Sequence, residues 1–250
     1  MRLCEKCGRE WPEEYFYCPV CGSKLVEEPT PEYYKSKARE FRAKAKIRSA
    51  AEMCEKAREA DPNDPILHKN LGELYYLMGQ INKAIEEYRK CIELYPDFAD
   101  VHYLLGIAYY RRGMIDKAIK SLKKCLEINP DFIMAHYWLG IVYYHRGDVD
   151  KSIESFKTLL EKNPESIIAY YQIGVSLNAK GKFKEALEHF RKVAELCPEN
   201  TAVYYHMGMS YFALADIQNA MKCFKKALEL NPHDQRSSHM LDLILNVPEL

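Results

Sequence analysis

Four cysteines near the start of the chain have the type and spacing to do chemistry. Cys4-Glu-Lys-Cys7-Gly8 and Cys18-Pro-Val-Cys21-Gly22 set two thiol pairs ten residues apart. Four thiolates make a closed tetrahedral shell for Zn²⁺, a cation that demands no d-electron geometry. The two-residue spacer in each pair lets the chain wrap one ion, and the glycine that follows can take positive φ and turn the backbone back over the sulfurs. Ten intervening residues are too few for a core, so metal binding must supply most of this segment's folding free energy. Trp11, Tyr15, Phe16 and Tyr17 are expected to shield one side. Cys4, Cys7, Cys18 and Cys21 are therefore assigned to one structural zinc; iron is the less favoured ion and redox work by the same thiols the outside alternative.

The elements that follow are set by a repeat. Residues 99–132 read ADVHYLLGIAYYRRGMIDKAIKSLKKCLEINPDF, and the same skeleton returns every 34 residues, at Gly72, Gly106, Gly140, Gly174 and Gly208 and at Pro96, Pro130, Pro164, Pro198 and Pro232. A fixed period of this size signals a solenoid, in which each unit contacts only its neighbours. Within one unit Val101, Leu104, Leu105, Ala108 and Tyr109 recur at helical spacing, then Ile115, Ala118, Ile119, Leu122, Cys125 and Leu126. Arg111-Arg112-Gly113 separates the two runs, and its glycine, repeated at Gly79, Gly147 and Gly181 and replaced by Ala215, suits a left-handed helix end. Each unit is thus a helix hairpin closed by a proline. The mid-helix glycine costs about 1 kcal/mol relative to alanine. Its expected partners across the hairpin are the small residues Ala84, Ala118, Ser152, Ala186 and Ala220, which would let the helices approach to roughly 8 Å.

Stepping back from Pro96 reaches Pro62, and from Tyr75, Phe41, so a degenerate unit fills residues 31–64 ahead of five regular ones at 65–234. Glu27 to Thr30 is a short charged linker. Gln235 to Asn246 continues the helical phase and Val247-Pro248 stops it, so residues 235–250 read as a capping helix that also offers a homodimer contact. Lysine plus arginine (36) equals aspartate plus glutamate (36), which excludes an overall field for nucleic acid or anionic lipid. The first helix is locally basic, with Lys35, Arg39 and Arg42 as a patch. No apolar run approaches the roughly 20 residues that span a bilayer, no export signal opens the chain, and the other five cysteines suit a reducing compartment. A soluble cytoplasmic protein is expected.

Two resemblances become specific at these residues. CxxCG, ten residues, then Tyr17-CPxCGxxL resembles the short zinc-ribbon family. Leu105-Gly106, Tyr109, Ala118, Leu122, Cys125 and Pro130 resemble the tetratricopeptide repeat (TPR) pattern, as do Leu139-Gly140, Tyr143, Ser152, Phe156, Leu159 and Pro164. The resemblance implies an all-α fold: a superhelical solenoid of antiparallel helix hairpins, preceded by a small zinc ribbon, that binds protein or peptide and performs no chemistry. It also implies a concave groove lined by Tyr103, Ile107 and Tyr110; Tyr137, Ile141 and Tyr144; Tyr171, Val175 and Asn178; and Tyr205, Met209 and Phe212. The lysine, asparagine and arginine of the family's carboxylate clamps are absent from the middle of the array. A tyrosine-rich apolar groove favours an apolar or amphipathic partner segment, unless the C-terminal helix or the ribbon covers it. The resulting expectation is a non-enzymatic scaffold or adaptor, with the ribbon as a second contact. The alternative is an RNA- or translation-associated factor using the ribbon and the basic first helix. Against it, RNA readers of this kind use polar specificity residues where this groove offers Ile, Val and Met.

His68, His102 and His136 form a ladder, but neighbouring first helices lie about 10 Å apart and Zn–N bonds are about 2.0 to 2.1 Å. They are expected to fill the slot that Tyr170 and Tyr204 hold in later units. Cys91 and Cys125 stand where Ala227 does, as small apolar fillers.

Overall fold

The computed structural model describes residues 1–27 and 29–246. Two short strands, β1 (Arg2–Leu3) and β2 (Glu10–Trp11), pair antiparallel with Arg2 opposite Trp11 and Leu3 opposite Glu10. Single bridges join Leu3 to Val26 and Tyr17 to Lys24. Thirteen helices follow among the described residues. Six of them, α1 (Pro31–Ala43), α2 (Ile47–Ala60), α3 (Pro65–Leu77), α4 (Ile81–Leu94), α5 (Ala99–Arg111) and α6 (Ile115–Ile128), belong with the ribbon to a first compact unit, residues 1–129. The second unit begins at residue 130 and holds α7 (Ile133–Arg146), α8 (Val149–Lys162), α9 (Ile167–Ala179), α10 (Phe183–Leu196), α11 (Thr201–Ala213), α12 (Ile217–Leu230) and α13 (Gln235–Leu245). The expected stop at Val247-Pro248 lies outside the described residues.

Within each unit the helices pack as consecutive antiparallel pairs, α1 on α2, α3 on α4 and α5 on α6, then α7 on α8, α9 on α10 and α11 on α12. The second helix of a pair is amphipathic: α6 buries Ala118, Ile119, Leu122 and Cys125 and leaves its lysines in water. The first helix is apolar almost all round, as α9 (IIAYYQIGVSLNA) shows, because it is packed against elements on several sides. Local signals set the ends. Thr30, Asp64, Ser166 and Asn200 cap the backbone N–H groups of Tyr33, Ile66, Ala169 and Val203. Every residue that precedes a closing proline, from Asp61 (φ −138, ψ 82) to Asn231 (φ −139, ψ 93), has left the helical region. The proline ring forces this on its predecessor. Gly79, Gly113, Gly147 and Gly181 turn the hairpins at φ between 70° and 91°, and Ala45 and Ala215 take the same conformation at 55° and 59°.

At the mid-helix glycines the nearest atoms belong to a bulky residue rather than to the small ones expected, although at Gly106 the Ala118 carbonyl also comes within 3.4 Å of an added Cβ. A Cβ on Gly140 would lie 2.5 Å from the Phe156 ring, one on Gly174 2.5 Å from Phe190, and one on Gly208 2.5 Å from Phe224; Gly106 meets Leu122 at 2.7 Å and Gly72 meets Tyr88. The bulky residue one turn beyond the alanine lies across the glycine. Close approach is therefore of ring to backbone, and Tyr88, Leu122, Phe156, Phe190 and Phe224 are almost wholly buried by it. Ser152, in the alanine column, meets Ser176 of α9 at 3.2 Å, so a buried hydroxyl keeps a partner. At the chain's far end α13 buries Ser237, Met240 and Leu241, and packs on α12.

Candidate functional site

The metal candidate is built by two matching turns. In the first, Gly8 donates its N–H to the Cys4 carbonyl at 2.7 Å; in the second, Gly22 donates to the Cys18 carbonyl at 2.9 Å. Both glycines have φ near +70°. The four sulfurs all lie within 4.8 Å of one another, with Cys4 to Cys21 at 3.3 Å and Cys7 to Cys18 at 3.6 Å. Zn–S bonds of about 2.3 Å at tetrahedral angles put sulfurs about 3.8 Å apart, so the donor set fits one such ion. Burial pushes the Cys4 thiol up to about 12, while the Ser23 hydroxyl and amide hold Cys21 down to about 6. A cation resolves this crowding of charge by favouring four thiolates together. A zinc held by four sulfurs has no site left for substrate; it supplies cross-linking.

Shielding of the sulfurs comes from Leu25 and half-buried Trp11. Tyr15, Phe16 and Tyr17 are 42, 60 and 64% exposed, contrary to expectation. The buried centre of the ribbon is Cys4, Cys18 and Leu25, and of the four aromatics it is Trp11 that packs against it. The first turn also meets the helices: Thr30, the N-cap of α1, donates its N–H to Glu5 at 2.6 Å. A Cβ on Gly8 would come within 3.9 Å of Lys37 and 4.0 Å of Tyr33.

The basic patch on α1 is largely neutralised from within. Lys35 pairs with Asp64 at 2.8 Å and lies 3.7 and 3.9 Å from Asp61 and Glu32, and Arg42 pairs with Glu73 at 2.6 Å. Among the described residues Arg39 makes one hydrogen bond, from Nε to the Lys35 carbonyl at 3.3 Å.

The groove residues fall into two groups. In residues 1–129, Tyr103 and Tyr110 are half-buried, whereas Ile107 is buried. Tyr76 lies under the Arg111 guanidinium at 5.2 Å, and Lys69 is 3.8 Å from Glu73. In the second unit Tyr137, Ile141, Tyr144, Tyr171 and Val175 are all half-buried. The inner sides of Tyr137, Ile141, Tyr171 and Val175 pack on the core: the Tyr171 ring is 6.2 Å from Phe190 and 5.5 Å from His206. Asn178 is engaged, donating to the His206 carbonyl at 3.5 Å and accepting from the Ser210 hydroxyl at 2.8 Å. Tyr205, Met209 and Phe212 pack against the cluster of Ala220, Phe224, Met240 and Leu241, and Arg236 lies 4.6 Å over Tyr205. The terminal helix thus takes up part of the last set.

The histidine ladder serves the hairpin junctions. Nε2 of His68, His102 and His136 meets the carbonyl of Pro62, Pro96 and Pro130 at 3.0, 2.8 and 3.3 Å. Tyr204 donates from its hydroxyl to the Pro198 carbonyl at 3.0 Å in the same place. Sequence reasoning missed the partner of His68. Its Nδ1 is 2.6 Å from Glu87, which is 4% exposed and also accepts from Arg58 at 2.6 Å. The available signal was an acid in a column that later reads Ser121, Ser155, His189 and Cys223.

The fold and its repeat match known proteins. Models of the tetratricopeptide repeat match residues 99–132, 133–166, 167–200 and 201–234, and a TPR repeat model matches residues 74–113. Among solved structures, YrrB, described as a TPR protein with an unusual peptide-binding site, is 25% identical over 77% of this chain and 99% of its own, with a TM-score of 0.66. MamA is 32% identical over 64% of this chain and 93% of its own, with a TM-score of 0.62. The pilF protein of Pseudomonas aeruginosa, 17% identical, shares the fold at a TM-score of 0.68 over 85% of this chain and 97% of its own. No curated protein matches the chain. The repeat of 34 residues, the paired helices it builds and these matches make the chain a member of the tetratricopeptide repeat family.

Proposed function

We propose that this protein is a non-enzymatic scaffold that holds an apolar or amphipathic segment of a partner protein against the first helices of its repeats. In the second unit the face is formed by Tyr137, Ile141, Tyr144, Tyr171 and Val175, and in residues 1–129 by Tyr103, Tyr110 and the edge of Ile107. The observation that carries the reading is the row of half-buried tyrosines; the rings of Tyr137 and Tyr171 are anchored on the core while part of each stays in solvent. Such side chains give apolar contact with a polar handle and are already ordered before a ligand arrives. The peptide-binding site described for YrrB supports the same use of the fold. The proposed division is a zinc ribbon over 1–26, a linker over 27–30, a degenerate repeat over 31–64, five regular repeats over 65–234 and a cap over 235–250. One structural Zn²⁺ on Cys4, Cys7, Cys18 and Cys21 steadies the first hairpin through Glu5 and Thr30, and the ribbon's exposed aromatics are a second contact. Nine free cysteines suit a reducing, cytoplasmic setting. The neutralisation of Lys35 and Arg42 favours a protein partner over RNA.

Capture of partners from extract by the wild-type chain and by Ile141→Lys/Tyr144→Ala, both verified as folded by circular dichroism, tests the face. Loss of specific peptide or protein capture in the variant is expected; undiminished capture would rule the face out. Size measurement on the same samples reports whether Leu243 and Leu245, 46 and 63% exposed on α13, join two copies.

A further inference from the structure

A recess of about 390 Å³ opens where the turn between α3 and α4 meets the end of α5, within the usual size of ligand pockets. Lys83, Arg111 and Arg112 line it with the amides of Gln80 and Asn82, and no acidic residue does. Among the described residues none of the three cations has a carboxylate within 4.0 Å or uses a side-chain hydrogen bond. Two of them are held in place by rings: Lys83 lies over Tyr75 and Arg111 over Tyr76, each at 5.2 Å. Attraction to a ring face orients a cation and leaves N–H donors free for another partner. The Tyr75 ring is fixed in turn, because it is buried and its hydroxyl donates to Glu55. The first turn of α4 holds no acid, so no carboxylate of that turn competes for these donors.

We propose that this recess binds a terminal phosphate group, carried on a side chain of a partner segment or free in solution. Charge decides the class of ligand. A phosphorylated side chain brings about −1.5 to −2 charges at pH 7 and three strong acceptor oxygens, whereas a carboxylate brings one charge and two oxygens. Three cations of one sign around one opening match the former. Arg111 and Arg112 each offer a planar fork to a pair of phosphate oxygens, and Lys83 adds a compact charge with three donors. The recess stands at the turn end of the second regular repeat and uses none of the residues of the proposed groove, so the two readings fail or stand independently.

The test is fluorescence anisotropy of the full chain, purified with zinc, in about 0.15 M salt, where the field of distant charges is screened. The probe is a labelled Gly-Ser peptide carrying one phosphoserine. The same peptide with Ser or Glu in that place, inorganic phosphate as competitor, and an oligonucleotide with a 5′-hydroxyl end complete the set. The phosphoserine peptide should bind at least roughly tenfold tighter than the Ser or Glu peptide. Its displacement by an equal concentration of inorganic phosphate identifies the free anion as the source, and resistance to displacement identifies the phosphorylated side chain. Lys83→Gln and Arg112→Gln should each weaken binding by roughly five- to tenfold. Lys120→Gln, which removes the same charge from an exposed position of α6 outside the recess, and Ile141→Lys should leave it unchanged. Equal binding of the phosphoserine peptide and either of its two counterparts overturns the proposal. So does wild-type affinity in Lys83→Gln and Arg112→Gln, or an equal loss in Lys120→Gln. Binding of the oligonucleotide as tight as that of the phosphoserine peptide overturns it in favour of a nucleic-acid surface.

Discussion

Replacing Gly174 by alanine puts the packing of the hairpin to a test in which two physical effects have opposite signs. Helix propensity alone predicts a gain of about 1 kcal/mol, because alanine loses less backbone entropy than glycine. The added Cβ, however, would lie 2.5 Å from Cε1 of Phe190 and 2.8 Å from Cδ1 and Cζ. Carbon contacts settle at about 3.5 to 4.0 Å, so the ring must retreat by about 1 Å. Phe190 is 0% exposed; His206 stacks on it at 5.7 Å and Tyr171 meets it edge-on at 6.2 Å. Overpacking of this kind costs about 1 to 3 kcal/mol; with the gain of about 1 kcal/mol subtracted, the net effect is a destabilisation of up to about 2 kcal/mol. Urea denaturation of the full chain measures it. In Gly174→Ala/Phe190→Ala the steric part should vanish, so the double variant should lose less than the sum of the singles. Stabilisation by Gly174→Ala would refute the ring-on-glycine contact and restore the small-on-small contact with Ala186.

Metal analysis should return one zinc per chain, lost in Cys18→Ser; affinity should fall as pH falls, because protons compete for the four thiolates. Chelation should also speed amide exchange at the start of α1, where Thr30 depends on Glu5 for its N–H partner. Burial, aided by Arg236, pulls His206 down to about 4, below the 6.5 of an unfolded histidine. The unfolded chain therefore takes up this proton first: stability is full above pH 6.5 and declines by up to about 3 kcal/mol as pH approaches 4, a limb that His206→Gln should flatten. Ala215→Gly should stabilise by about 0.5 to 1 kcal/mol in thermal or urea unfolding, because it relieves a left-handed alanine at φ 59°.

The sequence by itself determined what depends on neighbours along the chain. A period of 34 residues set the order of the helices, the glycines set the left-handed turns, the prolines pulled Asp61 through Asn231 out of helix, and two CxxCG motifs brought four sulfurs within 4.8 Å. Ala215 was readable as a left-handed residue because the four units before it carry glycine in its column. Only the tertiary structure decided which side chains meet across helices: Phe190 over Gly174, Glu87 between His68 and Arg58, Ser210 on Asn178, and Asp64 and Glu73 on the cations of α1. Periodicity fixes the face on which a residue stands, but the reach and rotamer of a long side chain select among several partners on the opposing helix.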